Sequence, residues 1–219
     1  MTALAKQVYY RNRGMPASLR SLYLREFEGA RRILDLGCGT GDLGRGRQAQ
    51  DEEIFGVDID TGALRQAIRF ERVACVDLES SPLPYRDASF DAVLAKDIFE
   101  HLQDPGRLAR EVARVTRPGA VVIASVVMAR PRTVWADYTH VRGFTRRTAS
   151  QLLEDAGLKV ERIWRMGGVP LSGRLGFVRL VPALLRLPGC NQLWASSWEL
   201  KARKPGGSDA REAMGWHQG

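Results

Sequence analysis

A short aliphatic run ends in three glycines at alternate positions, Ile33-Leu34-Asp35-Leu36-Gly37-Cys38-Gly39-Thr40-Gly41, and Asp58 follows nineteen positions after the middle glycine. No other feature of the chain restricts its possible folds as strongly. Glycine tolerates the backbone angles of a tight turn at the end of a strand, and its missing side chain lets a ligand approach the main chain. A carboxylate at the tip of the next strand can accept hydrogen bonds from both hydroxyls of a ribose. A nucleoside-like ligand at the carboxyl end of a parallel sheet is therefore the first expectation.

The rest of the chain fits such a sheet. Ile33–Leu36, Ile54–Val57, Val73–Val76, Ala92–Ala95 and Val121–Val127 are short β-branched or aliphatic runs, as strands covered on both faces should be. Helical patterns alternate with them, which is the signature of βαβ units. Asp104-Pro105 opens one helix, with Leu108, Val112 and Val115 on one stripe and Arg117-Pro118-Gly119 as its stop. Thr145 is the expected N-cap of another, through Leu152, Leu153 and Ala156, with Gly157 ending it in a left-handed conformation. Lys159–Trp164 and Trp194–Ala202 read as two further strands. The boundaries drawn are a helical lead-in or lid over 1–30, one domain over 31–204 with a substrate-side insertion at 165–192, and an unstructured tail over 205–219.

Several classes are excluded or disfavoured. A nicotinamide-binding turn has GxGxxG, and that spacing from Gly37 falls on Asp42 rather than glycine. No lysine follows the glycines as in a phosphate-binding loop. The net charge of +8 is peripheral: residues 1–30 carry +3, 31–130 carry −2 and 131–219 carry +7. Basic flanks without clustered aromatic residues read as solvated arginines, so nucleic acid is not an expected partner. The chain contains no apolar run long enough to span a bilayer, which points to a cytoplasmic protein without stable membrane insertion. Cys38, Cys75 and Cys190 lack CxxC spacing and read as free thiols.

The ordered runs LDLGCGTG, GVDID, CVDLESSPLPY, SFDAVLAKDIFEHLQDP and RVTRPGAVVIAS resemble the motif set of class I S-adenosylmethionine-dependent methyltransferases, and HVRGFTRRTASQLLEDAG is similar to the same family. The resemblance covers residues 31–127 and 140–157. It implies a doubly wound, mostly parallel seven-stranded α/β sheet with its last strand antiparallel, and S-adenosylmethionine as cofactor with S-adenosylhomocysteine as product. It also implies roles. Asp35 and the backbone of Gly37, Cys38 and Gly39 would surround the methionyl part, and Asp58 would hold the ribose. Asp77 would meet the adenine amino group, Ile59 and Leu78 would pack on the ring, and the backbone near Lys96 would meet the cofactor's amino group.

The expected reaction is methyl transfer to a hydroxyl, amine or activated carbon of a small organic molecule, in natural-product or other secondary metabolism. His101, in Asp97-Ile98-Phe99-Glu100-His101, is similar to the Glu-His pair of small-molecule members and lies where open α/β sheets bind ligands. His140 is the other candidate base, since a neutral imidazole there can take a proton from a hydroxyl. Either histidine can instead serve structure, with Glu100 and His101 bracing their loop. Asp97 alone does not make a metal cluster, so no metal is expected. RNA methylation through the basic C-terminal part and non-catalytic cofactor binding are the alternatives. The sequence says nothing of oligomeric state.

Overall fold

The computed structural model describes residues 14–45, 52–167 and 195–206. Within them lie α1 (Ala17–Glu26), β1 (Arg32–Leu36), β2 (Glu53–Asp58), α2 (Thr61–Ala67), β3 (Arg72–Cys75) and β4 (Phe90–Lys96). A 3₁₀ turn (Phe99–His101), α3 (Pro105–Val115), β5 (Thr116–Val127), α4 (Pro131–Val134), α5 (Arg146–Glu154), β6 (Lys159–Met166) and β7 (Ser197–Arg203) follow.

The strands form one seven-stranded sheet in the order β3-β2-β1-β4-β5-β7-β6. β1 to β5 pair in parallel, whereas β7 runs antiparallel to both of its neighbours. Alternate residues of a strand point to opposite faces, and here both faces are buried. Leu34, Val93, Val122 and Ala124 pack with Leu108 and Val112 of α3 and Leu153 of α5. Ile33, Ala92, Leu94 and Ile123 face the other way, onto Tyr23 and Phe27 of the first helix and its end. Continuous aliphatic runs are what such two-sided cover requires.

Local chemistry sets the helix ends. The Asp104 carboxylate accepts from Arg107 N–H at 3.0 Å, with Pro105 at the first helical position. Thr145 and Thr148 form a reciprocal capping box on α5. Gly157 follows that helix with φ of +87°, a conformation that a side chain would strain.

Two boundaries differ from the sequence reading. Helix α3 ends at Val115, and Arg117-Pro118-Gly119 lies inside β5 instead of separating helix from strand. Thr116 has already turned extended, and the irregular register between Phe90 and Ala92 absorbs the proline and the positive-φ Gly119. The last strand begins at Ser197, so Trp194 lies outside the described residues, as do Tyr9, Tyr10, most of the 165–192 insertion and the tail beyond residue 206. Among the described residues no helix is long and apolar enough to cross a membrane.

Candidate functional site

Because β1 lies between β2 and β4, connections from neighbouring strands leave toward opposite faces of the sheet. A crevice opens at the carboxyl ends where they part. A cleft of about 640 Å³ occupies this place, lined among others by Met15, Gly37, Asp58, Lys96, His101 and Thr139. Every residue assigned by resemblance to cofactor binding, namely Asp35, Gly37, Cys38, Gly39, Asp58, Ile59, Asp77, Leu78 and Lys96, borders it.

The glycine turn is built as its sequence suggests. Gly37, Gly39 and Gly41 have φ of +67°, +54° and +78°. A Cβ on Gly37 would stand 2.1 Å from Ile98 Cδ1, and one on Gly41 would stand 2.9 Å from the Ala67 backbone. The turn is tied to β2, since Gly37 and Cys38 N–H donate to Val57 carbonyl at 2.8 and 3.0 Å. Asp58 closes it: one oxygen accepts from Gly39 N–H at 2.9 Å and the other from Asp60 N–H at 2.8 Å. Its carboxylate thus fixes the turn and stands at the ligand's door at once.

The electrostatics of this end are acidic. Among the described residues, the cleft is lined by Asp35, Asp42, Asp58, Asp60, Asp77, Glu79 and Asp97 but only one lysine, Lys96. Burial, with Glu71 and Asp58 beside it, pushes the Asp35 carboxyl well above the usual range. Glu71 lies under the turn, accepts Gly44 N–H at 3.0 Å, and is pushed up to about 7, chiefly by burial. Burial likewise raises the Cys38 thiol, which keeps it protonated and unreactive. Asp77 is more open, and donation by the Ser80 hydroxyl at 2.7 Å holds it low.

At the end of β4, Asp97 takes φ of +53°, unusual for a side-chain-bearing residue, and its carboxylate pairs with Lys96 Nζ. Ser125 Oγ stands 2.9 Å from Asp97 Oδ1 and 2.8 Å from Glu199 Oε1, while Tyr23 OH donates to Glu199 Oε2 at 2.9 Å. One hydroxyl has one hydrogen, so Ser125 can donate to only one of the two carboxyls at a time. Burial raises the Glu199 carboxyl above the usual range. Asp97, Asp42, Glu71 and Glu199 were not foreseen as site residues. Asp42 was noticed only as a missing glycine, yet its Oδ2 accepts Met15 N–H at 2.8 Å and fastens the lead-in to the turn.

The two histidines differ. His101 borders the cleft, with its Nδ1 3.0 Å from Thr139 Oγ1. Burial, then the neighbouring His140, lowers its pKa and favours the neutral ring. The His140 ring is buried 4.8 Å behind it, with Nδ1 2.9 Å from Val134 carbonyl, and is not part of the cleft wall. His101 therefore stands between His140 and the cleft. On the outer side of the same connection, Trp135 and Tyr138 are 74% and 81% exposed.

Comparison with known proteins agrees with this geometry. Residues 34–124 match a family model described as a methyltransferase domain. A ubiquinone biosynthesis O-methyltransferase of Alkalilimnicola ehrlichii is 32% identical over 113 residues, covering 47% of this chain and 44% of the relative. A 27-O-demethylrifamycin SV methyltransferase of Amycolatopsis mediterranei is 33% identical over 121 residues, covering 51% and 44%. The chain therefore spans about half the length of the curated relatives it matches. The crystal structure of an S-adenosylmethionine-dependent methyltransferase from Mesorhizobium loti superposes with a TM-score of 0.64 at 21% identity, covering 86% of this chain and 98% of that one.

Proposed function

We propose that the methyltransferase domain matched over residues 34–124 is of the class I S-adenosylmethionine-dependent type, and that the protein transfers the cofactor's methyl group to a hydroxyl, amine or activated carbon of a small organic acceptor. The observation that carries the reading is the acid-rich cleft around the glycine turn. S-adenosylmethionine is a zwitterion with an additional sulfonium charge, and a cleft lined by seven acidic residues and one lysine favours such a ligand. A dinucleotide pyrophosphate would meet the same carboxylates with repulsion.

The residues fit the cofactor in kind. Gly37, Cys38 and Gly39 leave backbone open to a methionyl group, with Asp35 beneath. Asp58 offers acceptors where a ribose would lie, and the Asp77 carboxylate with apolar Ile59 and Leu78 suits an adenine with an exocyclic amine. Bound there, S-adenosylmethionine supplies an electrophilic methyl group. The chain's part is to hold the acceptor in line with it and exclude water, which can account for most of the rate. His101, kept neutral by burial, and Asp97 are the polar groups facing the acceptor end.

The test is calorimetry of the purified chain with S-adenosylmethionine, S-adenosylhomocysteine and a nicotinamide dinucleotide, followed by transfer of a labelled methyl group to a panel of phenols, amines and RNA. Heat with the first two and label on a small acceptor is expected. Heat only with the dinucleotide would refute the cofactor assignment. Tight cofactor binding without label on any acceptor would identify a non-catalytic binder.

A further inference from the structure

Behind the acceptor end, three side chains meet. Glu100 and His101 close the 3₁₀ turn after β4, and His140 comes from the connection between β5 and α5. One ligand-capable atom from each lies within 4.8 Å of the other two. The backbone already joins the two segments, since Val141 N–H donates to Glu100 carbonyl at 2.9 Å.

The partners of both imidazoles fix their tautomers. His140 Nδ1 stands 2.9 Å from Val134 carbonyl oxygen, which can only accept, so Nδ1 carries the hydrogen. His101 Nδ1 faces Thr139 carbonyl at 3.3 Å and Thr139 Oγ1 at 3.0 Å, and that hydroxyl gives its own hydrogen to Asp137 at 2.7 Å. Nδ1 is again the donor. In each neutral ring the lone pair is therefore on Nε2. His101 Nε2 and Glu100 Oε2 are both buried without a hydrogen-bond partner among the described residues, and Glu100 is only 1% exposed. Acceptors left without a donor in a dry space are costly, and a cation or a shared proton between them removes the cost.

We propose that Glu100, His101 and His140 hold a divalent transition-metal ion, for which Zn²⁺ is the best fit. Two imidazoles and one carboxylate form a three-ligand zinc set that leaves a fourth position open. Mg²⁺ and Ca²⁺ prefer all-oxygen shells and fit poorly. Metal-bound imidazoles characteristically donate their other N–H to a carbonyl or similar acceptor, as both rings do here. On loading, the ligand atoms draw together toward roughly 3.4 Å, the spacing of tetrahedral ligands at about 2.0–2.1 Å from the ion. The ion ties the turn at 99–101 to the connection at 131–142, two segments that form one wall of the acceptor end. The proposal does not depend on methyl transfer.

The full-length chain, stripped with a chelator, is titrated with Zn²⁺ by calorimetry while bound metal is counted by mass spectrometry. One equivalent per chain and a raised Tm are expected, with no response to Mg²⁺ or Ca²⁺. Glu100→Gln and His140→Ala should each weaken binding more than about tenfold. Failure to bind zinc, or zinc binding that both variants leave unchanged, would overturn the site. Should His140→Ala not fold, the nearly isosteric Glu100→Gln decides, together with the Co²⁺-loaded wild type, whose proton NMR spectrum must show two paramagnetically shifted imidazole N–H signals. Their absence also overturns it. The same stripped protein is titrated with S-adenosylmethionine, so that binding of the cofactor but not of zinc refutes the metal site alone.

Discussion

The two ends of the cleft are made differently. At the end formed by β1, β2 and β3, polar atoms are fixed between the glycine turn and the tip of the adjacent strand: Asp58 holds Gly39 and Asp60, Asp60 caps α2, and Val57 carbonyl receives two N–H groups of the turn. This end is acidic and enclosed. At the end formed beyond β4, the contacts join distant segments, such as His101 with Thr139 and, deeper in the sheet, Tyr23 with Glu199. Here the surface toward solvent carries exposed Trp135 and Tyr138. A rigid local device suits a ligand of constant chemistry, and a wall assembled from separate segments can change with the acceptor while the device stays.

The contrast is open to direct attack, and the largest effect is expected at the first end. Asp58→Ala removes the acceptor of Gly39 N–H as well as the proposed ribose partner. Affinity for S-adenosylmethionine should fall by about 3 kcal/mol, the upper scale for hydrogen bonds to a charged group. Unchanged affinity by calorimetry would separate the carboxylate from the ligand.

A smaller effect tests the enclosure. Burial lifts Glu71 from 4.5 to about 7, so folding favours its protonated form. That contribution is full below the unfolded value and is lost as pH rises through the folded one. Between about pH 5 and about pH 8 the wild type should lose about 2 kcal/mol through this group, and Glu71→Gln should lack that loss. Urea unfolding at both pH values measures the difference, and identical slopes would mean that water reaches Glu71.

The smallest effect belongs to the second end. Trp135→Ala should change stability by no more than about 0.5 kcal/mol and leave cofactor affinity intact, because the ring is 74% exposed. A loss of cofactor affinity would show that the two ends are not separable.

Much of the first end was legible in the chain, because its residues sit at the tips of successive strands whose order follows from strand-helix alternation. The three glycines and Asp58 can be placed at the crevice on that ground, whereas Asp77 was assigned only through the family resemblance. Glu71 could not be placed, since it precedes a strand and only packing turns it under the glycine turn. His140 was legible as a histidine near the site, but its place behind His101 depends on how the connection after β5 folds back onto the 3₁₀ turn. The helix stop at Arg117-Pro118-Gly119 was misplaced because a bulge absorbs proline and glycine within an otherwise regular strand.

By itself, then, the sequence determined the alternation of elements, the two-sided sheet and the turn, because hydrophobic period and glycine stereochemistry act over a few residues. Only the tertiary structure decided which carboxyls are buried, which share one hydroxyl hydrogen, and which lone pairs meet without a donor. Those outcomes follow from desolvation and from the approach of residues far apart in the chain, and neither can be read from the spacing of residue types.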